Sequence, residues 1–341
     1  MQAEESIALV LSGGIGLGAY QAGAYAALHA DASMRPHWLA ASSIGAVNAA
    51  VIAGGPVEDR IERLRALWRY DEHHSDVEHT PSMLDRWRHL ENWASAIGTR
   101  LAGSPGHFRP RAPNPWGPFK SFYDLAPLRE RIERLVDFDL LNSGAMRVTV
   151  ATTDIETGEL VLFDTEQGDR IGVDHLRASC GYLPEFAPIE IGGRLLGDGG
   201  LSANAPIEAL RSRPDGPLTC FVVDLFARDG ARPADLETAV ARKSDLVFAN
   251  QTWQRLEAYG REQELRAQLA NGKDLRTTIY YLSYRPVWSE AGPERPFDYS
   301  SRSIATRWSA GEADMAAALR GHPERKAVQP VEIIPVRRLA S

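Results

Sequence analysis

The first 55 residues alternate between short apolar runs and alanine-rich helical stretches, and this order constrains the fold more than any other feature. Residues 7–11 are a continuous apolar run that ends at a glycine-rich loop, as a buried strand does. Residues 18–30 have helical spacing. A second apolar run over 38–41 leads to two serines and another helix over 46–53. Strand, helix, strand, helix at this spacing predicts a parallel sheet with crossover helices.

The remainder of the chain continues this mixture of strands and helices. The predicted helices cover 58–70, 124–136, 235–271 and 303–319, and the predicted strands cover 146–152, 160–163, 187–191, 194–196, 218–225 and 277–284. A hairpin is expected across Gly192 and Gly193, because paired glycines tolerate the positive φ of tight turns. The apolar run 218–225 is expected in the centre of the sheet. We expect one domain over 1–341, with 226–341 as a C-terminal extension packed on the core.

The segment 71–123 differs from its surroundings because it is rich in proline and aromatic residues. Its aromatic side chains include Trp87, Trp93, Phe108, Trp116, Phe119 and Phe122. We predict an insertion made of a short helix and an irregular loop. His73, His74 and His79 lie close together in it. No ordered carboxylate or cysteine spacing accompanies them, so solvated histidines are favoured and no metal site is expected.

Charge and cysteine content exclude several classes of protein. The formal charge is −7, from 38 basic and 45 acidic residues, which disfavours nucleic acid as a partner. Cys180 and Cys220 have neither the number nor the spacing of a disulfide framework, and small buried core residues are expected. The start of the chain has no basic segment, and 7–11 is too short for a signal or a membrane span. We therefore expect a cytoplasmic location.

Ser43 stands where a strand should turn sharply into a helix. Such a turn needs small residues two positions to either side, and these are Ala41 and Gly45. The pattern is therefore G-x-S-x-G with alanine as its first residue. The turn also places the Ile44 N–H at the start of the next helix, where it can donate to an oxyanion.

The loop between the first strand and the first helix is rich in glycine. It contains Gly13, Gly14, Ile15 and Gly16, whose N–H groups can face an anion at the helix start. A dinucleotide fingerprint starting at Gly14 is an alternative. It would need an acidic residue after the second strand, where Ser42 and Ser43 stand instead. An oxyanion-binding loop followed by a nucleophilic serine accounts both for the glycines at 13–16 and for the serine at position 43.

The third motif is Asp198-Gly199-Gly200. An aspartate in a glycine turn is structural in most proteins. A Ser-His-Asp triad in the α/β-hydrolase order would need a histidine after Asp198, and His322 in a polar, turn-like stretch is the one histidine there. A Ser-Asp dyad needs no histidine.

Together the three motifs resemble the patatin-like phospholipase family, which combines a glycine-rich oxyanion loop, G-x-S-x-G and a distant D-G-G/A. The resemblance covers about residues 6 to 225 and includes Gly18-Ala19-Tyr20-Gln21-Ala22-Gly23 and the segment 177–200. Residues 250–253 and 297–300 are similar to the C-terminal extension of one bacterial branch. The resemblance implies a three-layer α/β/α fold with a central, mostly parallel sheet and helices on both faces.

The resemblance also implies a serine acyl hydrolase that needs no cofactor. Ser43 would attack the acyl carbonyl with Asp198 as its base, and water would hydrolyse the acyl-enzyme. The expected oxyanion donors are backbone N–H groups around 13–16 and that of Ile44. The substrates would be carboxylic esters of lipids or of short acyl chains.

Three positions depart from the family pattern. Ile15 replaces the third glycine of the loop, Leu17 replaces a basic residue, and Ala41 replaces the first glycine of the serine motif. Without a basic side chain next to the oxyanion site, a natural phosphate partner is missing. We therefore predict a preference for neutral esters over phospholipids.

Several alternatives stay open at the level of sequence. The same departures are compatible with a catalytically impaired lipid-binding relative, and the glycine loop alone with a dinucleotide-binding oxidoreductase. An acyltransferase would use the same acyl-enzyme. The insertion is interpreted either as a lid or acyl-binding wall in transient contact with membrane or lipid aggregates, or as a peripheral packing element. The long helix 235–271 offers a surface for a homo-oligomer.

Overall fold

A computed structural model of the chain describes residues 5–70, 83–112, 118–213, 215–269, 275–286, 290, 292–321 and 330–336. The strands are β1 (Ser6–Leu11), β2 (Trp38–Ser42), β3 (Arg109–Pro110), β4 (Tyr123–Asp124), β5 (Arg147–Asp154), β6 (Leu160–Asp164), β7 (Ile189–Ile191), β8 (Arg194–Asp198), β9 (Leu218–Asp224), β10 (Thr277–Ser283) and β11 (Val331–Pro335). The α-helices are α1 (Ala19–Ala30), α2 (Ile44–Ala53), α3 (Arg60–Trp68), α4 (Met83–Ala102), α5 (Ala126–Leu135), α6 (Phe138–Leu141), α7 (Val173–Ser179), α8 (Leu236–Leu269) and α9 (Ser301–Gly321).

Nine of these strands form one sheet, in the order β11-β10-β9-β1-β2-β5-β8-β7, with β6 also paired to β5. The pairings from β11 to β5 are parallel, and those of β6, β7 and β8 are antiparallel. The predicted hairpin across Gly192 and Gly193 is confirmed as β7 and β8. The run 218–225 is confirmed as a central strand, because β9 lies between β1 and β10.

Alternation along β1 shows why the sheet has helices on both faces. Leu9 and Leu11 pack into one apolar cluster with residues of α1, α2 and α9, whereas Val10 packs into another with Leu256 of α8. Successive side chains of a strand point to opposite faces, so each cluster occupies one face of the sheet. The predicted three-layer α/β/α architecture is confirmed.

The C-terminal part of the chain contributes directly to this core. β10 and β11 extend the parallel sheet beyond β9. On one face, α9 packs closely on α1, because neither Gly23 nor Gly311 has a side chain. A Cβ atom on Gly23 would lie 1.9 Å from the Trp308 carbonyl oxygen, and one on Gly311 would lie 1.9 Å from that of Tyr20.

The insertion differs from its prediction in one respect. The expected short helix is α4, which has 20 residues, and an irregular stretch with the small β3–β4 ribbon follows it. β11, β3 and β4 were not predicted, since short strands give weak periodic signals. The histidines at 73, 74 and 79, the helix end at 271–272 and His322 lie outside the described residues. Among the helices described, none has the length together with the apolar character that crossing a membrane requires.

Candidate active site

Ser43 occupies a sharp turn between β2, which ends at Ser42, and α2, which begins at Ile44. Its backbone angles are φ 55° and ψ −129°, a conformation that a residue with a side chain rarely adopts. Such strain persists only where the surrounding structure holds it, and it is common at functional sites. The serine side chain is thereby presented at the end of the parallel strands.

The small residues on either side of Ser43 are explained by close packing. A Cβ atom on Gly45 would lie 2.5 Å from the carbonyl oxygen of Leu11 and 2.7 Å from that of Ser12. Ala41 is fully buried within β2, opposite Leu11 and Val150 of the neighbouring strands. The sheet therefore accommodates a methyl group at position 41 but no side chain at position 45.

The register of β5 brings the distant aspartate to the serine. Ser42 aligns with Ala151 of β5, and Asp198 aligns with the next residue, Thr152. The Ser43 hydroxyl donates a 2.5 Å hydrogen bond to Asp198 Oδ2, although 155 positions separate the two residues. The sequence motifs around Ser43 and Asp198 thus meet at one point.

Burial shapes the chemistry of Asp198, which is 3% exposed. Loss of hydration raises the pKa of its carboxyl group to about 7, although hydrogen bonds from Ser43 and from the Gly200 N–H oppose the shift. The Gly200 bond, to Oδ1, measures 2.7 Å and fixes the orientation of the carboxylate. The turn requires glycine at position 199, because a Cβ atom added there would lie 2.5 Å from the Ala151 carbonyl oxygen.

A second serine holds the strained turn in place. The Ser43 N–H donates a 2.8 Å hydrogen bond to Ser179 Oγ, whose own hydroxyl donates to the Ala151 carbonyl oxygen at 2.7 Å. Ser179 is the last residue of α7 and is fully buried. The turn is therefore anchored to both α7 and β5.

The glycine loop lies next to Ser43, but its members differ in what they can do. The Gly13 N–H donates to the Asn204 carbonyl oxygen at 3.1 Å, so this donor is already occupied. In the described part of the chain, the N–H groups of Gly14, Ile15, Gly16 and Ile44 have no hydrogen-bond acceptor. Ile15 has a φ of 52°, which explains why glycine is the usual residue there.

Buried amides fix this loop on the helix that follows Ser43. Asn48 of α2 donates to the Gly18 carbonyl oxygen and to Gln21 Oε1, each at 3.0 Å. Gln21 in turn donates to the Ser12 carbonyl oxygen at 2.8 Å. Trp68 donates to Asn48 Oδ1 at 2.9 Å. The loop and Ser43 are thus held as one rigid unit.

A cavity of about 190 Å³ opens on Ser43 and Asp198. Gly13, Gly14, Ile15 and Ile44 also line it, whereas Gly16 is buried against Pro296 and does not. Its walls are mainly apolar and include Phe108, Leu125, Leu128, Phe186, Phe226, Phe248, Phe297 and Tyr299. Apolar walls around a few convergent polar groups are typical of sites for small organic ligands.

Several polar residues in the cavity wall were not singled out from the sequence. Arg100 is paired with Glu294 and lies over the Phe297 ring, 3.9 Å from its centroid. His107 is buried, and loss of hydration lowers its pKa to about 3, so its imidazole is neutral. Glu185 and Asn204 also line the cavity. Position along the chain gave no signal for any of them, because tertiary packing brings them together.

The prediction of two buried core cysteines is confirmed, and Cys180 also lines the cavity. Both cysteines are free and buried, but only Cys220 lies within the sheet. Cys180 faces the cavity beside Ser43 and Asp198, and burial raises the pKa of its thiol. It is therefore held as a neutral thiol in the wall of the site.

Solved structures and curated proteins were compared with the chain. VipD from Legionella pneumophila is 12% identical, with a TM-score of 0.45 over 94% of this chain and 68% of that one. The ExoU–SpcU complex from Pseudomonas aeruginosa contains a chain that is 15% identical, with a TM-score of 0.31 over 75% of this chain and 52% of that one. No curated protein matches the sequence.

The family comparison covers the three sequence motifs of the site, but not the cavity residues that follow residue 211. The description of the matching family is patatin-like phospholipase, and the match runs over residues 9–211. This span is more than half of the chain and contains the glycine loop, Ser43 and Asp198. The chain therefore belongs to the patatin-like phospholipase family.

Proposed function

We propose that this protein is a serine acyl hydrolase that cleaves carboxylic esters of lipids or short acyl chains. The observation that carries the proposal is the 2.5 Å hydrogen bond from Ser43 Oγ to the buried Asp198 carboxylate. A strained turn, a neighbouring carboxylate and a set of unoccupied N–H donors form the combination that nucleophilic acyl transfer requires. Membership of the family supports lipid acyl hydrolysis at the level of reaction class.

The proposed reaction proceeds through an acyl-enzyme. Asp198 accepts the Ser43 proton while Ser43 Oγ bonds to the carbonyl carbon, and the carbonyl oxygen becomes an oxyanion. When the intermediate collapses, the bond to the alcohol oxygen breaks, and this alcohol takes the proton from Asp198. Water then attacks the acyl carbon and gives a proton to Asp198, which returns it to Ser43 as the acid leaves.

The oxyanion donors in this proposal are fewer than the sequence motif offers. Gly14, Ile15 and Ile44 line the cavity, and their N–H groups have no hydrogen-bond acceptor among the described residues. The Gly13 N–H is engaged by Asn204, and Gly16 does not reach the cavity. Gly14, Ile15 and Ile44 are therefore the donors we assign.

The cavity favours an uncharged ester as substrate. Its walls are apolar, and its one arginine already has Glu294 as an ion-pair partner and Phe297 beneath its guanidinium group. Leu17, at the position where the family has a basic residue, is fully buried. A phosphate group would have to compete with Glu294 for Arg100, so we retain the preference for neutral esters.

The test compares three single variants with the parent enzyme on a p-nitrophenyl ester. Ser43→Ala and Asp198→Asn should each lower kcat by about 10³-fold or more. Ser42→Ala is a matched control, because Ser42 is buried next to the nucleophile and its Oγ has no hydrogen-bond partner among the described residues. Ser42→Ala should leave kcat within about threefold of the parent.

Fluorophosphonate labelling tests the nucleophile independently of turnover. The reagent should modify Ser43 in the parent and in Ser42→Ala, and should leave Ser43→Ala unlabelled. A folded parent enzyme without ester hydrolysis and without labelling would instead indicate a catalytically impaired lipid-binding protein. Near-normal activity of Asp198→Asn would contradict the proposal that Ser43 and Asp198 act as a catalytic dyad.

A further inference from the structure

Four large apolar side chains of helix α4 are exposed to solvent in its described part. Its inward side is small or polar, with Asn92 and Ala96 buried and Ser95 donating a 2.9 Å hydrogen bond to Asp298. Six large apolar side chains of α4 and of the segment that precedes β4 are exposed. They are Trp87 (68%), Leu90 (58%), Trp93 (44%), Leu101 (76%), Phe119 (49%) and Phe122 (51%). We call these six residues the aromatic face.

The aromatic face lies beside the opening of the cavity. Arg100, which precedes Leu101, lines the cavity, and its side chain is 33% exposed. The Tyr123 hydroxyl donates to the Arg100 carbonyl oxygen at 3.0 Å, which joins the segment with Phe119 and Phe122 to the end of α4. The exposed apolar side chains therefore continue outward from the site of the proposed chemistry.

Helix α8 borders the same opening. Ser244 and Phe248 of α8 line the cavity, while Val240 and Val247, at neighbouring helical positions, are 42% and 50% exposed. His89 Nε2 of α4 lies 3.4 Å from Glu237 Oε1 of α8, so the second turn of α4 meets the first turn of α8. The apolar rim thus extends across two elements. Single exposed apolar residues are normal, but a group around one opening marks an interaction surface.

Charge distinguishes this surface from the rest of the chain. Residues 87–124 contain five basic and two acidic side chains, and two basic charges remain in excess when Arg100 is counted as paired with Glu294, whereas the whole chain has a net charge of −7. Basic side chains next to exposed tryptophan, leucine and phenylalanine are the combination found in segments that lie in the interface of an anionic lipid layer. Tryptophan suits that position because its ring is apolar and its N–H is polar.

We propose that the aromatic face docks the protein on an anionic lipid surface and so places the opening of the cavity against the lipid layer. The use of this docking rests on the proposed function, since lipid esters would then enter the cavity directly. A second copy of the chain is the rival occupant. Seated on this face, it would cover the opening that the substrate needs, which favours the lipid surface.

The docking is tested in the full chain with Ser43→Ala, so that vesicles are not hydrolysed and the result is independent of activity. Flotation with vesicles of phosphatidylcholine, and of an equimolar mixture of phosphatidylcholine and phosphatidylglycerol, measures binding. The Ser43→Ala chain should bind the mixed vesicles more tightly than vesicles of phosphatidylcholine alone, and added salt should weaken this binding. Trp87→Ser with Trp93→Ser should weaken it by about tenfold.

A leucine pair provides a matched control. Leu90→Ser with Leu101→Ser removes side chains that are 58% and 76% exposed, and Leu265→Ser with Leu269→Ser removes side chains that are 61% and 79% exposed. Leu265 lies 21 residues beyond Ser244 on α8, about 30 Å along the helix. The first pair should weaken vesicle binding by about fivefold or more, and the second should leave it unchanged.

Three results would overturn the docking proposal. The first is that the Ser43→Ala chain binds neither kind of vesicle. The second is that both leucine pairs lose the same amount of vesicle binding. The third is that the chain forms a dimer without lipid, and that the aromatic-face variants convert this dimer to a monomer but still bind vesicles. Hydrolysis of a soluble p-nitrophenyl ester by the chain with Ser43 restored separates the two proposals. It should persist in all the surface variants, and its absence would count against the proposed function alone.

Discussion

Ser179 Oγ accepts a hydrogen bond from the Ser43 N–H at 2.8 Å and thereby satisfies a buried backbone donor at the strained turn between β2 and α2. Ser179→Ala would leave that N–H without its partner, which costs about 1–3 kcal/mol of folding stability. The turn would also lose the contact that aims Ser43 Oγ at Asp198. We expect kcat to fall about tenfold with KM little changed, as measured on a soluble ester.

The rate of fluorophosphonate labelling separates positioning from general destabilisation. It should fall in Ser179→Ala at temperatures well below its melting transition, while Ser42→Ala labels as fast as the parent. A variant that melts earlier but labels at the parental rate would show that Ser179 stabilises the fold without orienting the nucleophile.

The raised pKa of Asp198 predicts how activity depends on pH. Burial raises this pKa to about 7, and the mechanism needs the ionised carboxylate. Activity should therefore be low in acid and rise through a midpoint near 7, as kcat/KM on a soluble ester would show between about pH 5 and pH 9. A profile that stays flat down to pH 5 would contradict the assignment of Asp198 as the base.

The same pKa predicts an effect on stability. The folded protein holds the Asp198 proton up to about pH 7, whereas the unfolded chain releases it near pH 4. The folded state therefore binds more protons between these values, and this contribution to stability is lost as the pH rises. We therefore compare the Tm of Asp198→Asn with that of the parent at two pH values. The variant should gain more Tm relative to the parent at pH 8 than at pH 5, and the difference corresponds to a free energy of unfolding on the order of 1–3 kcal/mol. Equal differences at both pH values would argue against a raised pKa.

Substrate preference is a separate prediction. Because Arg100 is paired with Glu294 and the rest of the cavity is mainly apolar, a short-chain aryl ester should be hydrolysed faster than phosphatidylcholine. Side-by-side turnover under identical conditions measures this preference. Faster hydrolysis of the phospholipid would contradict the predicted preference for neutral esters.

Gly45 offers a test of packing at the site. A methyl group there would lie 2.5 Å from the Leu11 carbonyl oxygen, so Gly45→Ala must displace α2 or the end of β1. We expect a loss of about 1–3 kcal/mol and a fall in kcat, because that strand end leads into the glycine loop. Gly260→Ala in α8 is the control, because its Cβ atom would meet nothing within 4 Å and alanine favours a helix. Equal stability of the two variants would contradict the argument.

The order of elements was predictable because the chain alternates clearly between buried strands and amphipathic helices. The runs 7–11 and 38–41 are continuous and apolar, and 218–225 is mostly apolar, as expected for the inner strands of a parallel sheet. The motifs at Ser43 and Asp198 were also visible, because small residues at fixed spacing reflect backbone contacts that admit no side chain. Their roles as nucleophile and base remain proposals.

The rest of the site depends on contacts between distant parts of the chain. Nothing near Gly13 shows that Asn204 occupies its N–H, and nothing near Arg100 or His107 places them in the cavity. The length of α4 was underestimated because, from residue 87 onward, its buried residues are small or polar and its large apolar residues are mostly exposed, which is the reverse of the usual pattern for a helix on a core.

The register of β5 has a consequence for how the protein is made. Ser43 is synthesised 155 residues before Asp198, and the pairing of β8 with β5 brings them together. A nascent or partly assembled chain thus contains the serine turn without its proposed base. The ability to transfer an acyl group would therefore appear late in folding, once β8 has paired with β5. The rate at which a folding chain becomes reactive toward a fluorophosphonate would then report when this pairing forms.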